Sequence, residues 1–345
     1  MSLDSFTNPK IIIGRERFDN ISNITLNEKG GVTINSLSVT LTDPNVDEFK
    51  FYNKEILFYL DESDGIPMFR GYIRQINPSD TAVSLTAYDP RTFLTGKEAA
   101  LTFLTDKVNY DGYTVAQFIY DYIDTYVNTS EQTYIGLDMI TETDPPALLK
   151  NVRAESGMAP YKLITNNLPV KTKDLNKPAK YSIKMVDDGE KSNIVLLKDK
   201  DIDGVAAITY SDFDGIIKKS FKRRPEPSVF TISDESGKVV QFKKGNTPKG
   251  PIGTKTPVSK DINTGITEAI VQSILDEGET QEISLTVSKG YYLQLGSLIK
   301  LDVDEQELRT NHRLKSKTLS WTPQTLTCTL VLNKEIPVAS SYIQL

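Results

Sequence analysis

Thiols and imidazoles are almost absent from this chain, whose 345 residues contain one cysteine, Cys328, and one histidine, His312. A lone cysteine excludes an intramolecular disulfide and any multi-cysteine metal site, so redox chemistry is not indicated. A serine or cysteine triad would have to recruit His312, which lies in RTNHRL between two strands, and no G-x-S-x-G surrounds any serine. A phosphate-cradling G-x-x-x-x-G-K-[ST] loop is missing as well. No apolar run approaches the length of a membrane span, and the start, MSLDSFTNPKIII, has neither the basic residues nor the apolar stretch of a secretory signal. The expectation is synthesis and folding in a cytoplasm, without membrane insertion. Basic residues are outnumbered 40 to 46, for a net charge of -6. Holding a phosphate backbone needs concentrated positive charge, so nucleic acid could pass such a surface without being gripped.

What is present is an ordinary folding composition, 38% hydrophobic and 25% charged, in a chain long enough for two or three domains. From residue 10 to 94 the segments KIIIGRERF, GVTINSLSVTLTD, EILFYLDE, MFRGYIRQI and AVSLTAYD alternate or are β-branched, and turn residues bound each of them. The period changes in DGYTVAQFIYDYIDTYVNT, where Val115, Phe118, Ile119, Tyr122, Ile123 and Tyr126 fall at helical spacing behind the capping box of Thr114 and Gln117. That stripe reads as a face packed on a core. A hairpin follows in KYSIKMVDDGEKSNIVLLKD, turning at Asp187-Asp188-Gly189. Residues 243–265 are rich in Gly, Pro and Lys and read as a linker or exposed loop, and ITEAIVQSILDEG reads as a second helix.

Candidate sites are few. In DKDIDG, Asp199, Asp201, Asp203 and Gly204 match the first half of a calcium loop, but the twelfth position is Tyr210 where a bidentate Glu is wanted, so a solvated turn is favoured. KKSFKRR, residues 218–224, packs five basic residues into seven with Phe221 as its single aromatic, which fits a charged strand edge or subunit contact better than a nucleic-acid patch. Asp89 before Pro90 reads as a strand terminator, and Cys328 as a small buried residue alternating with Leu326, Leu330 and Leu332. No catalytic, cofactor-binding or metal-binding residue is therefore assigned, and no cofactor is expected.

The informative comparison is internal. Residues 55–90 and 297–334 each hold an alternating strand ending in acidic residues, a polar connection, a second strand carrying arginine, a turn with proline and a third alternating strand. Ile56 to Gly71 spans 15 positions against 14 for Leu298 to His312, and Gly71 to Leu85 equals His312 to Leu326 at 14. Duplication of a β domain explains this economically. The hairpin FRGYIRQI...AVSLTAYDPRTFL, followed by an insertion with an amphipathic helix, resembles the first tube domain of phage baseplate hub proteins. The later order EAIVQSIL, ISLTVSKGYYLQLGSLIKLDV with its Leu293-Gln294-Leu295-Gly296-Ser297 turn, and HRLKSKTLSWTPQTLTCTLVL resembles the second tube domain of that family.

The resemblance implies a mainly β fold of two tail-tube-like β-barrel domains plus a mixed α/β insertion. The first barrel is expected at 1–100, the insertion at 101–205, strands completing the first barrel and the crossover at 206–235, and the second barrel at 236–345. It further implies a non-enzymatic homotrimer forming a pseudo-sixfold ring between the hexameric tail tube and the trimeric central spike of a contractile-tail baseplate. Tape measure and baseplate wedge proteins would be further partners, and DNA would only pass through the lumen. Assembly would take place in the host cytoplasm. The competing expectations are a virion-associated glycan-binding or cell-wall hydrolase β protein, and a distal tail or tube component without hub symmetry.

Overall fold

Alternating apolar residues dictate strands wherever one side of a sheet is to be buried, and the chain consists mostly of such segments. The computed structural model describes residues 8–29, 33–42, 48–61, 65–95, 108–128, 134–141, 148–149, 153–154, 181–198, 206–211, 216–224, 229–233, 239–243, 280–288, 290–302 and 311–333. Its elements in chain order are β1 (Lys10–Ile13), β2 (Glu16–Phe18), β3 (Ile21–Lys29), β4 (Ser36–Leu41), the single helical turn α1 (Glu48–Phe51), β5 (Glu55–Tyr59), β6 (Phe69–Pro78) and β7 (Val83–Tyr88). A 3-10 turn at Pro90–Thr95 leads to β8 (Val108–Asn109), α2 (Val115–Tyr126), β9 (Arg153–Ala154), β10 (Tyr181–Asp187) and β11 (Ser192–Lys198). The remainder is β12 (Ile208–Ser211), β13 (Ile216–Arg224), β14 (Val229–Ser233), β15 (Val239–Lys243), β16 (Thr280–Val287), β17 (Leu298–Asp302), β18 (Asn311–Thr322) and β19 (Thr325–Asn333).

Most of these strands belong to one curled, half-barrel sheet of mainly β character, from which a small helical insertion projects. Its order is β13-β16-β19-β18-β3-β4-β7-β6-β5-β1-β2, with β17 also on β18 and β12 parallel to β17. Read as two runs, β3-β4-β7-β6-β5 and β13-β16-β19-β18-β17 have the same strand order and the same antiparallel sense. Even their irregularities match. The register slips between Ile21 and Asn23 in β3 and between Ile216 and Lys218 in β13, then between Ile73 and Gln75 in β6 and between Leu314 and Ser316 in β18. Ile56 lies opposite Gly71, and Ile299 opposite His312.

The turn into the meander repeats as well. Asn53 N and Lys54 O bond Ile73 in one unit, while Gly296 N and Ser297 O bond Leu314 in the other, and Asn53 and Gly296 both adopt positive φ, 63° and 81°. Two parts of the expected alignment shift accordingly. Ile299, not Leu298, is the counterpart of Ile56, and Leu85 corresponds to Leu330 rather than Leu326, because the β18–β19 hairpin extends further to Thr322 and Thr325. β12 and β13, expected in the first barrel, pair with β17 and β16.

Three apolar clusters follow from this arrangement. One gathers Ile24, Leu26, Val39, Phe58 and Leu85 of the first unit and takes in Leu319 and Trp321 from β18. A second joins Ile283, Leu285, Leu301, Leu314, Leu330 and Cys328. The third is the insertion, where α2 packs Phe118, Ile119, Tyr122 and Ile123 against Ile135, Ile183 and Ile194. The capping box is formed as expected, with Gln117 N donating to Thr114 Oγ1 at 3.1 Å and Thr114 N to Gln117 Oε1 at 3.0 Å. The expected helix over 266–278 and the linker between residues 244 and 265 lie outside the described residues.

Candidate functional site

The sequence that most resembles a catalytic signature, Tyr88-Asp89-Pro90-Arg91, is a buried clamp. Asp89 and Arg91 are 2% and 1% exposed. Arg91 Nη2 donates to Asp89 Oδ2 at 2.6 Å and Nε donates to the same oxygen at 3.0 Å. Asp89 also accepts from Asn35 N at 2.9 Å and from Arg91 N at 3.0 Å, while Arg91 Nη1 reaches Ile183 O at 3.1 Å. Every contact is internal, and the last one fastens β10 of the insertion to the end of β7. Asp89 thus ends its strand and also pins the next layer.

Arg70 on β6 forms a second fastening. It donates through Nε and Nη2 to Asp187 at the end of β10, through Nη1 to Glu55 at 2.8 Å and through Nη2 to Gly189 O at 3.0 Å. Burial opposes the charge, but the hydrogen bonds Arg70 donates to Asp187 and Glu55 outweigh it and hold the guanidinium above its ordinary value.

The residues scarce enough to suggest chemistry are placed apart. Cys328 on β19 is buried in the second cluster, where desolvation pushes its thiol up to about 12, the opposite of an activated nucleophile. His312 on β18, 4% exposed, faces Ile299 across the ladder. Among the described residues no group of three or more His, Cys, Asp or Glu is placed to hold a metal ion. Asp199, Asp201, Asp203 and Gly204 lie outside those residues.

What the chain presents outward is sheet edge. Residues 218–224 are the body of β13, the terminal strand of the sheet, bonded to β16 on one side only among the described residues. Lys219 Nζ lies 6.0 Å from the Phe221 ring centroid. Among the described residues β5 pairs only with Phe69 to Tyr72 of β6, and beyond the bulge no strand lies on that side of β6.

The join between the two units is of the same kind, already made. Ser316 to Trp321 of β18 pair antiparallel with Lys29 to Ile24 of β3. Lys317, 5% exposed, donates to Tyr291 O at 2.8 Å and Leu293 O at 3.0 Å and forms an ion pair with Glu28 at 2.5 Å. Thr318 Oγ1 donates to Asn27 Oδ1 at 2.9 Å. β3 escaped sequence reading because its bulge breaks the alternation and its C-terminal end, Glu28 and Lys29, is charged. A second surface feature, also missed, is an open groove of about 650 Å3 on the insertion, where Tyr113 and Tyr120 stand exposed beside Asp111, Gln117 and Asp121.

The sequence matches no protein-family model and no curated protein sequence. The fold has counterparts among solved structures, which include phage and prophage tail proteins and a type VI secretion component. A tail protein from Neisseria meningitidis MC58 superposes with a TM-score of 0.63 at 12% identity, covering 95% of this chain and 96% of that one. The 43 kDa tail protein of prophage MuSo2 from Shewanella oneidensis gives 0.63 at 10% identity, covering 98% of both chains. A component of the E. coli type VI secretion system, described as structurally similar to the T4 bacteriophage tail proteins gp27 and gp5, gives 0.55 at 12% identity over 97% of this chain and 78% of that one. The chain therefore has the gp27-like tail-protein fold over nearly its full length.

Proposed function

We propose that this protein is a structural baseplate hub component, three copies of which form a pseudo-sixfold ring that joins a hexameric tail tube to a trimeric central spike and lines the ejection channel. The observation that carries this reading is the duplication: two five-strand units of equal topology lie side by side in one sheet, and their join of β18 to β3 uses one edge of each and leaves the complementary edges, β13 and the far half of β6, without a strand partner among the described residues. Three chains, each with two such units, offer six similar edges upward while keeping true threefold contacts elsewhere. The shared tail-protein fold supports the same reading. Division of the chain into two barrel units around an insertion at about 101–205 is part of the proposal, as are a place in the virion tail and a non-enzymatic role.

A net charge of -6 per chain suits a channel that DNA or an unfolded protein must leave without being held. Light scattering on the purified chain tests the reading: a trimer supports the hub, a hexamer a tube component, and a monomer that binds sugar a glycan-binding module. The groove beside Tyr113 and Tyr120 favours that last role for the insertion alone, since exposed rings flanked by carboxylates and an amide suit a polyhydroxylated ligand. Titration of a cell-wall glycan against the native chain and Tyr120→Ala decides it.

A further inference from the structure

The trimeric ring proposed above needs two kinds of seam, and the chain displays one of them. Within a chain, β18 of the second unit meets β3 of the first. Repeating that step places β6 of one copy beside β13 of the next. Matched bulges fix the register. Gln75 and Ser316 each follow the slip in their own strand, and Lys222, opposite Glu282, holds the place of Asn27, opposite Ser36.

We infer that β13 of one copy adds antiparallel to β6 of its neighbour, with Asn77 opposite Lys222 and Pro78 opposite Phe221, and that this seam is the weaker of the ring's two kinds. The inference rests on the ring reading and assigns its contact residues. Three features of the chain support it. The pairing sets the apolar Pro78 against the half-buried Phe221. It brings the exposed Asp80, in the turn after β6, level with Lys219 two positions back along β13. Finally, among the described residues β13 ends the sheet and β6 has no strand beside it on the β5 side beyond Tyr72, and an unpaired strand edge is a template for another chain.

The inequality follows from the same positions. The seam within the chain has the buried Lys317–Glu28 pair, the Thr318–Asn27 hydrogen bond and register through Trp321. At the corresponding places the seam between copies has Ile76 opposite Arg223 and Asn77 opposite Lys222, and β6 stops at Pro78, which has no N–H to donate. A proline there also protects the free chain from indiscriminate edge pairing.

Asn77 and Lys222 fall at a position where neither strand bonds across the seam, because Asn77 bonds toward β7 in the ladder continued by Ser79 N to Ala82 O. Such pairs bring Cα atoms to about 4.5 Å, within disulfide reach. The full-length Asn77→Cys/Lys222→Cys chain, oxidised with copper-phenanthroline, is expected to run as a covalent trimer under denaturing conditions. The slipped pair Asn77→Cys/Ser220→Cys is expected to stay uncrosslinked, and buried Cys328 serves as a silent background. Asp80→Lys is expected to raise the midpoint concentration for trimer dissociation by roughly twofold to fivefold. A trimer by mass whose 77/222 pair stays open, or whose slipped pair closes instead, overturns the seam and leaves the ring reading standing. A chain that stays monomeric at all concentrations overturns both.

Discussion

At the residue scale, polar side chains in this protein act mostly as fasteners. Asp89 and Arg91 satisfy one another in a buried site, so removing one partner strands a buried charge. Asp89→Ala is expected to lower unfolding stability by about 3–5 kcal/mol in a urea titration, with the insertion loosening first because Arg91 also holds Ile183 O. Cys328 makes a second prediction. Desolvation raises its folded value from 9 to about 12, so the folded state keeps the proton longer than the unfolded chain does. Its stabilising contribution is intact below about pH 9 and declines as pH rises toward 12. The buried phenols Tyr110, Tyr122 and Tyr210 are also pushed up, first by desolvation, and add the same sign above about pH 10. Denaturation midpoints should therefore fall through that range. Thiol alkylation should label Cys328 only in denaturant, and fast labelling of the folded chain would contradict its burial.

At the element scale, the two units share backbone more than they share sequence. The turn that opens each meander needs a left-handed residue, and the chain meets that need with Asn53 once and Gly296 once. A Cβ at Gly296 meets nothing within 4 Å, so Gly296→Ala isolates the conformational cost, expected at about 1 kcal/mol, whereas Asn53→Gly should be close to neutral. Gly71 is different: a Cβ there would come within 2.5 Å of Tyr88 O, while its counterpart His312 carries a full side chain. This explains how much could be read beforehand. Strands β5, β7 and β19 alternate without a slip, β6 alternates up to its bulge and β18 around its own, and α2 announces itself through spacing and capping box. β3 did not, because a bulge at Ser22 interrupts its period and its inner end is paired through Glu28 to Lys317, a partner nearly three hundred residues away. Spacing alone likewise misplaced the counterparts of Ile56 and Leu85, since hairpin length differs between the units while bulge position does not. The outward groove beside Tyr113 and Tyr120 was hidden by the same helix whose inner stripe was plain.

At the scale of the whole molecule, one sheet carries two copies of one design, and a single seam with a buried ion pair joins them. In the proposed ring the β6–β7 hairpin is part of the wall, and the Asp89-Pro90-Arg91 corner after it anchors the insertion there. If the units are the repeating elements of a ring, the chain supplies half the seams covalently and leaves the other half to assembly, which suits stepwise addition to a tail. An electron-microscopy reconstruction of the assembled ring tests this most directly. The account predicts three chains with true threefold symmetry, two alternating barrel units in each chain, and a near-sixfold wall in which segments 67–94 and 310–333 occupy equivalent places. Six identical copies related by exact sixfold symmetry, or the two segments in unrelated positions, would contradict it.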